Sequence, residues 1–226
     1  MSAMKMVPGL GLLLLSVCID LYAGNAEGLA AAERGDFKLA LLEFAAAADK
    51  GDSEAAKNIG WMYQVGRGVP SDPTLALKWY RIAANAGNPI AQNNLGLMFR
   101  QGAGVAQDAV EARRWFEKAS AQNHAEGKIN LAILHCQGEG VPQNFELCAK
   151  WAQQAANAGI MEAQFLMAVL HTSGLGVPKD EEKATQWTER AAAQGHREAT
   201  TWVRIMQAES QKKAQRDRPA NADTSR

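Results

Sequence analysis

A 36-residue pattern recurs four times along this chain, and it limits the possible folds more than any other feature. One tryptophan marks each copy: Trp79, Trp115, Trp151 and Trp187. The motif Gly-x-Gly-Val precedes each tryptophan at the same distance, at 66–69, 102–105, 138–141 and 174–177. No insertion separates the copies. A period of roughly 20 to 50 residues is typical of supersecondary units that stack on one another and share a core.

Each copy predicts two antiparallel helices joined by a glycine turn. In the first copy, apolar residues return at helical spacing between Ala55 and Tyr63, and the Gly-x-Gly turn ends this helix. Asp72 is a good N-cap for a second helix, and Pro73 suits its first position. Gly87 ends that helix. The predicted fold class is therefore an all-α solenoid of antiparallel helix hairpins.

Three further positions keep their chemistry in all four copies. The N-cap position holds Asp72, Asp108, Asn144 and Asp180. The position that closes the second helix holds Gly87, Asn123, Gly159 and Gly195, the residue types that tolerate a left-handed C-cap. Small residues in the first helix, which leave room for a close neighbouring backbone, are Gly60, Gly96, Ala132 and Ala168.

The repeated residues resemble the Sel-1-like repeat (SLR) family, which is related to the tetratricopeptide repeat (TPR). The family pattern of Leu-Gly, Tyr, Gly-x-Gly-Val, Asp, Trp-Tyr, Ala-Ala and Gly is filled here from Ile59-Gly60 to Gly87. The resemblance extends from Ala55 to Glu198. It implies a TPR/Sel1-like superhelix that binds other proteins, and it implies no particular partner.

The pattern and its degenerate ends predict how the chain is divided. We expect a signal peptide at 1–23, an N-terminal capping half-repeat at 26–54, repeats at 55–90, 91–126, 127–162 and 163–198, a C-terminal capping helix at 199–215 and a disordered tail at 216–226. Atypical terminal repeats are expected in a solenoid because they cover its ends with polar surface.

The N-terminus has the pattern of a secretory leader. A short charged start precedes an apolar run from Val7 to Val17, and a small residue, Ala23, suits cleavage. About eleven apolar residues are too few to span a bilayer, which needs roughly twenty. We therefore expect a periplasmic or exported protein. The alternatives to cleavage are a lipid anchor through Cys18 and an uncleaved N-terminal anchor. We expect contact with a membrane only in these two cases.

The composition is that of an ordinary globular protein. The formal net charge is zero and 21% of the residues are charged. This balance does not predict nucleic-acid binding, and we expect no cofactor.

Two cysteines, Cys136 and Cys148, remain once the leader is removed. They lie near the end of one predicted helix and one turn into the next, so a short hairpin brings them close, and an exported chain meets oxidising conditions. A disulfide is predicted, with two buried thiols as the alternative. His135 and His171 could join the cysteines around zinc, but residues one repeat apart lie about 10 Å apart, so no metal site is predicted.

No catalytic residues are predicted. Ser210-x-x-Lys213 matches the serine–lysine pair of penicillin-recognising enzymes, but the other motifs of that site are missing. We expect a protein that is not an enzyme. A hydrolase of the cysteine-rich repeat type is a remote alternative.

Analogy with TPR proteins places the partner-binding surface on the first helices, which line a concave groove in that family. The residues predicted on this surface are Lys57, Trp61, Asn93, Leu97, Arg100, Ile129, Ile133, Phe165 and Val169. An apolar anchor with an acidic neighbour would suit such a groove. The alternative is that Trp61, Leu97, Ile133 and Val169 form the core between repeats.

The predicted function is a non-enzymatic interaction scaffold or adaptor of the bacterial cell envelope. Its partner would be another protein, such as a sensor or an envelope component. The alternative is a periplasmic immunity protein that inhibits a toxin, since bacterial members of the resembled family act in both ways.

Overall fold

The structure is a computed structural model that describes residues 24–216, with side chains described as far as Lys212. Every regular element in this range is a helix, and no strand occurs within it. The predicted all-α fold of helix hairpins is confirmed. The predicted signal peptide with Cys18, and residues 217–226 of the predicted tail, lie outside the described residues.

Eleven helices occur in this range, and most have the same length. Helix α1 covers the described residues 24–33. Nine helices of 13 residues follow: α2 (Phe37–Asp49), α3 (Ser53–Val65), α4 (Pro73–Asn85), α5 (Pro89–Gln101), α6 (Ala109–Ala121), α7 (Ala125–Gln137), α8 (Phe145–Asn157), α9 (Met161–Ser173) and α10 (Glu181–Ala193). The last helix, α11 (Arg197–Arg216), has 20 residues.

The chain forms two compact units that divide after His124. Unit 1 contains α1 to α6, and its hairpins are α3–α4 and α5–α6. Unit 2 contains the hairpins α7–α8 and α9–α10, followed by α11. Within each unit, the second helix of one hairpin contacts the first helix of the next, as α4 contacts α5 and α8 contacts α9. Each unit therefore stacks its hairpins in chain order.

The predicted caps set the helix ends. The carboxylate of Asp72 accepts hydrogen bonds from the backbone N–H groups of Thr74 and Leu75, at 2.9 and 3.0 Å. Side-chain capping is also observed at Asp108, Asn144 and Asp180. The predicted substitute for glycine, Asn123, has a left-handed φ of 63°. These cap predictions are confirmed.

Small residues in the first helices receive aromatic rings from the second helices. A Cβ at Gly60 would lie 2.8 Å from the ring of Tyr80, and one at Gly96 would lie 2.6 Å from the ring of Phe116. Both rings are fully buried. The sequence predicted a close neighbour at these positions, but the closest neighbour is a ring rather than a backbone. The missing methyl group lets each hairpin close around its aromatic side chain.

The second glycine of a Gly-x-Gly turn touches the preceding hairpin. A Cβ at Gly68 would lie 3.0 Å from the carbonyl oxygen of Phe37, and one at Gly104 would lie 2.5 Å from that of Pro73. In unit 2, a Cβ at Gly176 would overlap the carbonyl oxygen of Phe145. These three turns therefore place their hairpins against the first residue of the preceding second helix.

Hairpin α7–α8 is closed by a disulfide instead of a ring. Cys136 and Cys148 are bonded, and their Cα atoms lie 5.2 Å apart. Ala152 occupies the position of Tyr80 and Phe116, and it is buried in the unit 2 core with Cys148. The bond ties the end of α7 to the first turns of α8.

Helix α11 begins as a fifth first helix but does not turn. Ala199 is buried like its counterparts in the repeats, whereas Arg204 stands in the position that holds Gly or Ala in the four repeats. A long cation there prevents the close approach of a further second helix. None of the described helices, α11 included, is both long enough and apolar enough to cross a membrane.

Candidate functional site

A cleft lies on the exposed side of the first helices of unit 1. It has a volume of about 360 Å³ and is lined by Lys57, Asn58, Trp61, Ile90 and Asn94. Trp61 is 45% exposed and Ile90 is 41% exposed, although both are large apolar side chains. Two apolar side chains held between two amides and a lysine can bind an apolar anchor and hydrogen-bond to a peptide backbone. We call this surface the Trp61 cleft.

A polar network ties the base of the Trp61 cleft to two helices. The Nζ atom of Lys57 donates to a carboxylate oxygen of Glu54 at 2.8 Å. The second oxygen of Glu54 accepts from the side chain of Asn88, the N-cap of α5. The charge of Lys57 is thus partly balanced by Glu54, so the cleft attracts an acidic partner less than the sequence suggested.

The amides of the Trp61 cleft are positioned by neighbouring helices. The side-chain nitrogen of Asn58 donates to the side-chain oxygen of Asn25 in α1, at 3.1 Å. The buried Tyr80 hydroxyl donates to the side chain of Gln64 at 2.6 Å. Burial raises the pKa of Tyr80 above its ordinary value, while a hydrogen bond from Asn94 lowers it. Tyr80 therefore stays neutral and serves as a fixed support behind the cleft.

Two of the predicted partner-binding residues are buried. Asn93 is 5% exposed and Ile129 is 7% exposed. Helix α5 contacts both α4 and α6, so a wide arc of its surface is covered, and Ile129 belongs to the core of unit 2. The expectation that these two side chains meet a partner is corrected, because neither is accessible while the helices stay packed.

The other predicted residues lie between the surface and the core. Trp61 is exposed, which argues against its being a core residue. Lys57 and the four side chains Leu97, Arg100, Ile133 and Val169 are half-buried. Their roles in binding remain predictions.

Phe165, the predicted anchor in unit 2, is already engaged by aromatic neighbours. Its ring stacks on His196 with centroids 4.4 Å apart and meets Trp202 edge-on at 5.3 Å. Trp202 is 37% exposed. Phe165 supports the exposed Trp202 from below, and the indole is the part of this cluster that a partner can reach.

Ile90 and Trp202 were missed as surface residues, although the repeat alignment contained a signal for each. The position of Ile90 holds glutamate in every other first helix from α3 to α11. Trp202 stands where the earlier copies hold Asn58, Asn94, Asn130 and Leu166. A large, exposed apolar residue at a position that is mostly polar in the other copies indicates a specialised surface.

The side chains of two remaining candidates, Ser210 and His171, contact nearby backbone carbonyls. The Ser210 hydroxyl donates to the carbonyl of Met206 at 2.9 Å, inside its own helix. Nδ1 of His171 lies 3.2 Å from the carbonyl of Pro178. Among the described residues, no group of three or more His, Cys, Asp or Glu side chains is placed to hold a metal ion.

The family model of the Sel1 repeat matches residues 53–88, 89–124, 125–160 and 162–196. This chain belongs to the Sel1 repeat family. Sel1 repeat proteins are generally protein-interaction scaffolds, and their fold is typically non-catalytic. The resemblance drawn from the sequence is confirmed.

Solved Sel1 repeat structures match this protein closely. A Sel1 repeat protein from Oxalobacter formigenes is 35% identical, with a TM-score of 0.74, over 79% of this chain and 73% of that one. A protective antigen of uropathogenic Escherichia coli with an SLR fold is 30% identical, also with a TM-score of 0.74. The match to the antigen covers 79% of this Sel1 repeat protein but only 39% of the antigen, which is the longer chain.

More distant structures share the fold alone. An immunity protein from Pseudomonas aeruginosa is 21% identical with a TM-score of 0.53, over 80% of this chain and 67% of that one. A comparison with curated proteins found no match.

Proposed function

We propose that this Sel1 repeat protein is an exported, non-enzymatic scaffold of the bacterial cell envelope, and that it binds a partner protein through the Trp61 cleft. The observation that carries the proposal is the exposure of Trp61 and Ile90 side by side with two positioned amides. Tryptophan is enriched among residues that dominate binding energy, and a fixed aromatic ring loses little entropy on binding.

Two features support the exported location. The N-terminal sequence has the leader pattern of a charged start and an apolar run. The disulfide between Cys136 and Cys148 suits an oxidising compartment, because cytosolic thiols are kept reduced.

The immunity role has less support. Structures of immunity proteins share the fold with this chain, but at 21% and 22% identity the likeness extends no further. We therefore do not advance that alternative.

Site-specific photo-crosslinking in the native host tests the proposal. A benzophenone amino acid at position 61 is expected to crosslink one envelope protein, whereas the same group at Ile82, which is 43% exposed on α4, is not. Trp61→Ala should weaken binding of the identified protein by about thirtyfold or more, as expected for a hot spot worth at least about 2 kcal/mol. Ile82→Ala is the matched control. Crosslinks from position 82 alone would refute the cleft, and crosslinks in the cytosol alone would refute export.

A further inference from the structure

Within the described residues, the start of α10 is not covered in the way that the start of α8 is. A turn that follows α9 covers α8, whereas the described helix α11 has no such turn. In hairpin α9–α10, the turn Gly174–Lys179 follows α9, and Gly176 lies against the carbonyl of Phe145 at the start of α8. The corresponding position 36 residues later is Lys212, and the corresponding carbonyl is that of Glu181. Because α11 continues to Arg216 without a turn, no turn from the described residues covers the start of α10.

A groove of about 400 Å³ occupies this place. Its floor contains the apolar side chains of Ala184, Trp202 and Met206, and its rim carries Lys179, Glu181 and Glu209. Three threonines complete the lining: Thr172, Thr185 and Thr188. We call it the C-terminal groove. Met206 is half-buried, whereas the residues in its position in the four repeats are buried to 2% exposure or less. The floor is therefore a packing surface that lacks its usual cover.

The chain itself indicates what fits such a place. In the turn Gly174–Lys179, Val177 packs against the core of unit 2, and Lys179 follows two residues later. Valine holds this position in all four turns, as Val69, Val105, Val141 and Val177, so the part of the filler that the repeats share is a small aliphatic side chain.

The charges of the C-terminal groove favour a cation beside this aliphatic side chain. Two carboxylates on its rim, Glu181 and Glu209, face one cation, Lys179, which lies 3.6 Å from Glu181. Both partners of that pair are strongly exposed, so water screens it and an incoming cation can compete for Glu181. The exposed indole of Trp202 can also accept a cation on its face.

Residues 217–226 do not have this chemistry. Residues 217–226 contain arginines but no aromatic and no large aliphatic side chain, so they lack the apolar group that the floor needs. These ten residues therefore do not supply the aliphatic side chain of the occupant.

We propose that the C-terminal groove docks a turn of a partner protein that presents valine, isoleucine or leucine followed within three residues by lysine or arginine. The proposal rests on the scaffold function, but it assigns a surface in unit 2 that does not involve Trp61. A scaffold with this groove recognises a turn rather than an extended peptide, because a turn fills the corresponding place in its own repeats.

Selection of random twelve-residue loops, displayed on phage, against the full chain tests the proposal. The enriched loops are expected to share an aliphatic residue followed by a basic one. A synthetic loop of the commonest sequence should shift the methyl resonance of Met206 in a 13C-methionine-labelled protein. Failure to enrich any loop, or enrichment of loops that leave Met206 unshifted, would overturn the proposal.

A matched pair of variants sharpens the test. Glu181 and Glu182 both lie in the first turn of α10, but only Glu181 lines the groove. Glu181→Lys should weaken the selected loop at least tenfold, while Glu182→Lys should change its affinity less than twofold. Equal losses in both variants would mean that only net charge matters, which contradicts the groove. Trp61→Ala should leave the affinity for the selected loop unchanged. The proposal for the C-terminal groove and the proposal for the Trp61 cleft can therefore fail independently.

Two further experiments test whether the groove is filled by residues 217–226 or by a second copy of the chain. If the chain's own tail fills the groove, removal of residues 217–226 should raise the loop's affinity at least tenfold. If a second copy fills it, sedimentation should reveal a dimer that Glu181→Lys dissociates and Glu182→Lys does not. Either result would contradict a foreign turn as the occupant.

Discussion

Hairpin α5–α6 in unit 1 and hairpin α7–α8 in unit 2 carry the same 36-residue pattern but hold their helices together differently. In the first, Gly96 opens a space that the fully buried ring of Phe116 fills. In the second, the corresponding residues are Ala132 and Ala152, both buried, and a disulfide joins Cys136 to Cys148. One hairpin is closed by the volume of a ring, and the other by a covalent bond.

The difference shows which parts of the repeat are interchangeable. The position of Cys148 holds alanine in the other three copies: Ala76, Ala112 and Ala184. A cysteine fits there because it is only slightly larger than alanine, and it is as fully buried as Ala76 and Ala112. In the third repeat a bond ties the two helices where the ring is absent, whereas the fourth repeat has Thr188 in the ring position and no cysteine. We therefore expect the stability of unit 2 to depend on redox conditions, whereas the described residues of unit 1, 24–124, contain no cysteine.

The largest predicted effect concerns the ring. Phe116→Ala should lower the free energy of unfolding by about 3–5 kcal/mol, because it removes a fully buried aromatic side chain and leaves a cavity. Urea unfolding followed by circular dichroism measures this loss. Val110→Ala on the same helix is the control, since Val110 is 42% exposed and should change stability by less than about 0.5 kcal/mol. A loss below about 1 kcal/mol at Phe116 would show that the ring does not hold the hairpin.

The second prediction concerns the bond. Cys148→Ala restores the residue found in the other copies and removes only the crosslink. Closing a loop of about 13 residues is worth about 3 kcal/mol in the loop-entropy model, so the variant should lose about that much relative to the oxidised protein. Reductant should lower the wild type to the level of the variant and leave the variant unchanged. If the oxidised and reduced wild type unfold at the same urea concentration, the bond does not replace the ring.

The fold was predictable because the same helix-hairpin pattern occurs in each of the four repeats. Asp72 and its counterparts predicted where the second helices begin. Asn123 could be assigned a left-handed conformation because the other copies hold glycine at its position. Four copies of one pattern average out the local ambiguity that a single helix leaves.

The candidate site was less predictable, because exposure at a given repeat position depends on the neighbouring helices. Lys57, Asn93, Ile129 and Phe165 share one position, yet Asn93 and Ile129 are buried while Lys57 and Phe165 are half-buried. Analogy with TPR proteins predicts which repeat position faces the groove. It does not predict which neighbouring side chains bury that position in a given repeat. Ile90 was missed because the prediction followed the residues that the copies share. The other copies hold glutamate at this position, so the shared pattern does not show the isoleucine.

The smallest predicted effect is a coupling between two positions, and it tests the comparison most directly. Ala132→Gly and Ala152→Phe together would rebuild in hairpin α7–α8 the arrangement of Gly96 and Phe116. Alone, Ala152→Phe should destabilise the protein by about 1–3 kcal/mol through overpacking, because its ring would meet the Cβ of Ala132. Alone, Ala132→Gly should cost about 1 kcal/mol in helix propensity.

Together, the two changes should cost less than the sum of their separate effects, by about 1–3 kcal/mol, because the glycine removes the methyl group that the ring meets. The double-mutant cycle is best measured by urea unfolding in the Cys148→Ala background, where no crosslink masks the outcome. Ala152 is fully buried in a core that also contains Ile129, Cys148 and Met167, so a ring there has little space apart from the gap that glycine opens. Additive effects would mean that α7 and α8 are too far apart for a ring to bridge them, and that the disulfide belongs to a differently spaced hairpin rather than replacing a ring.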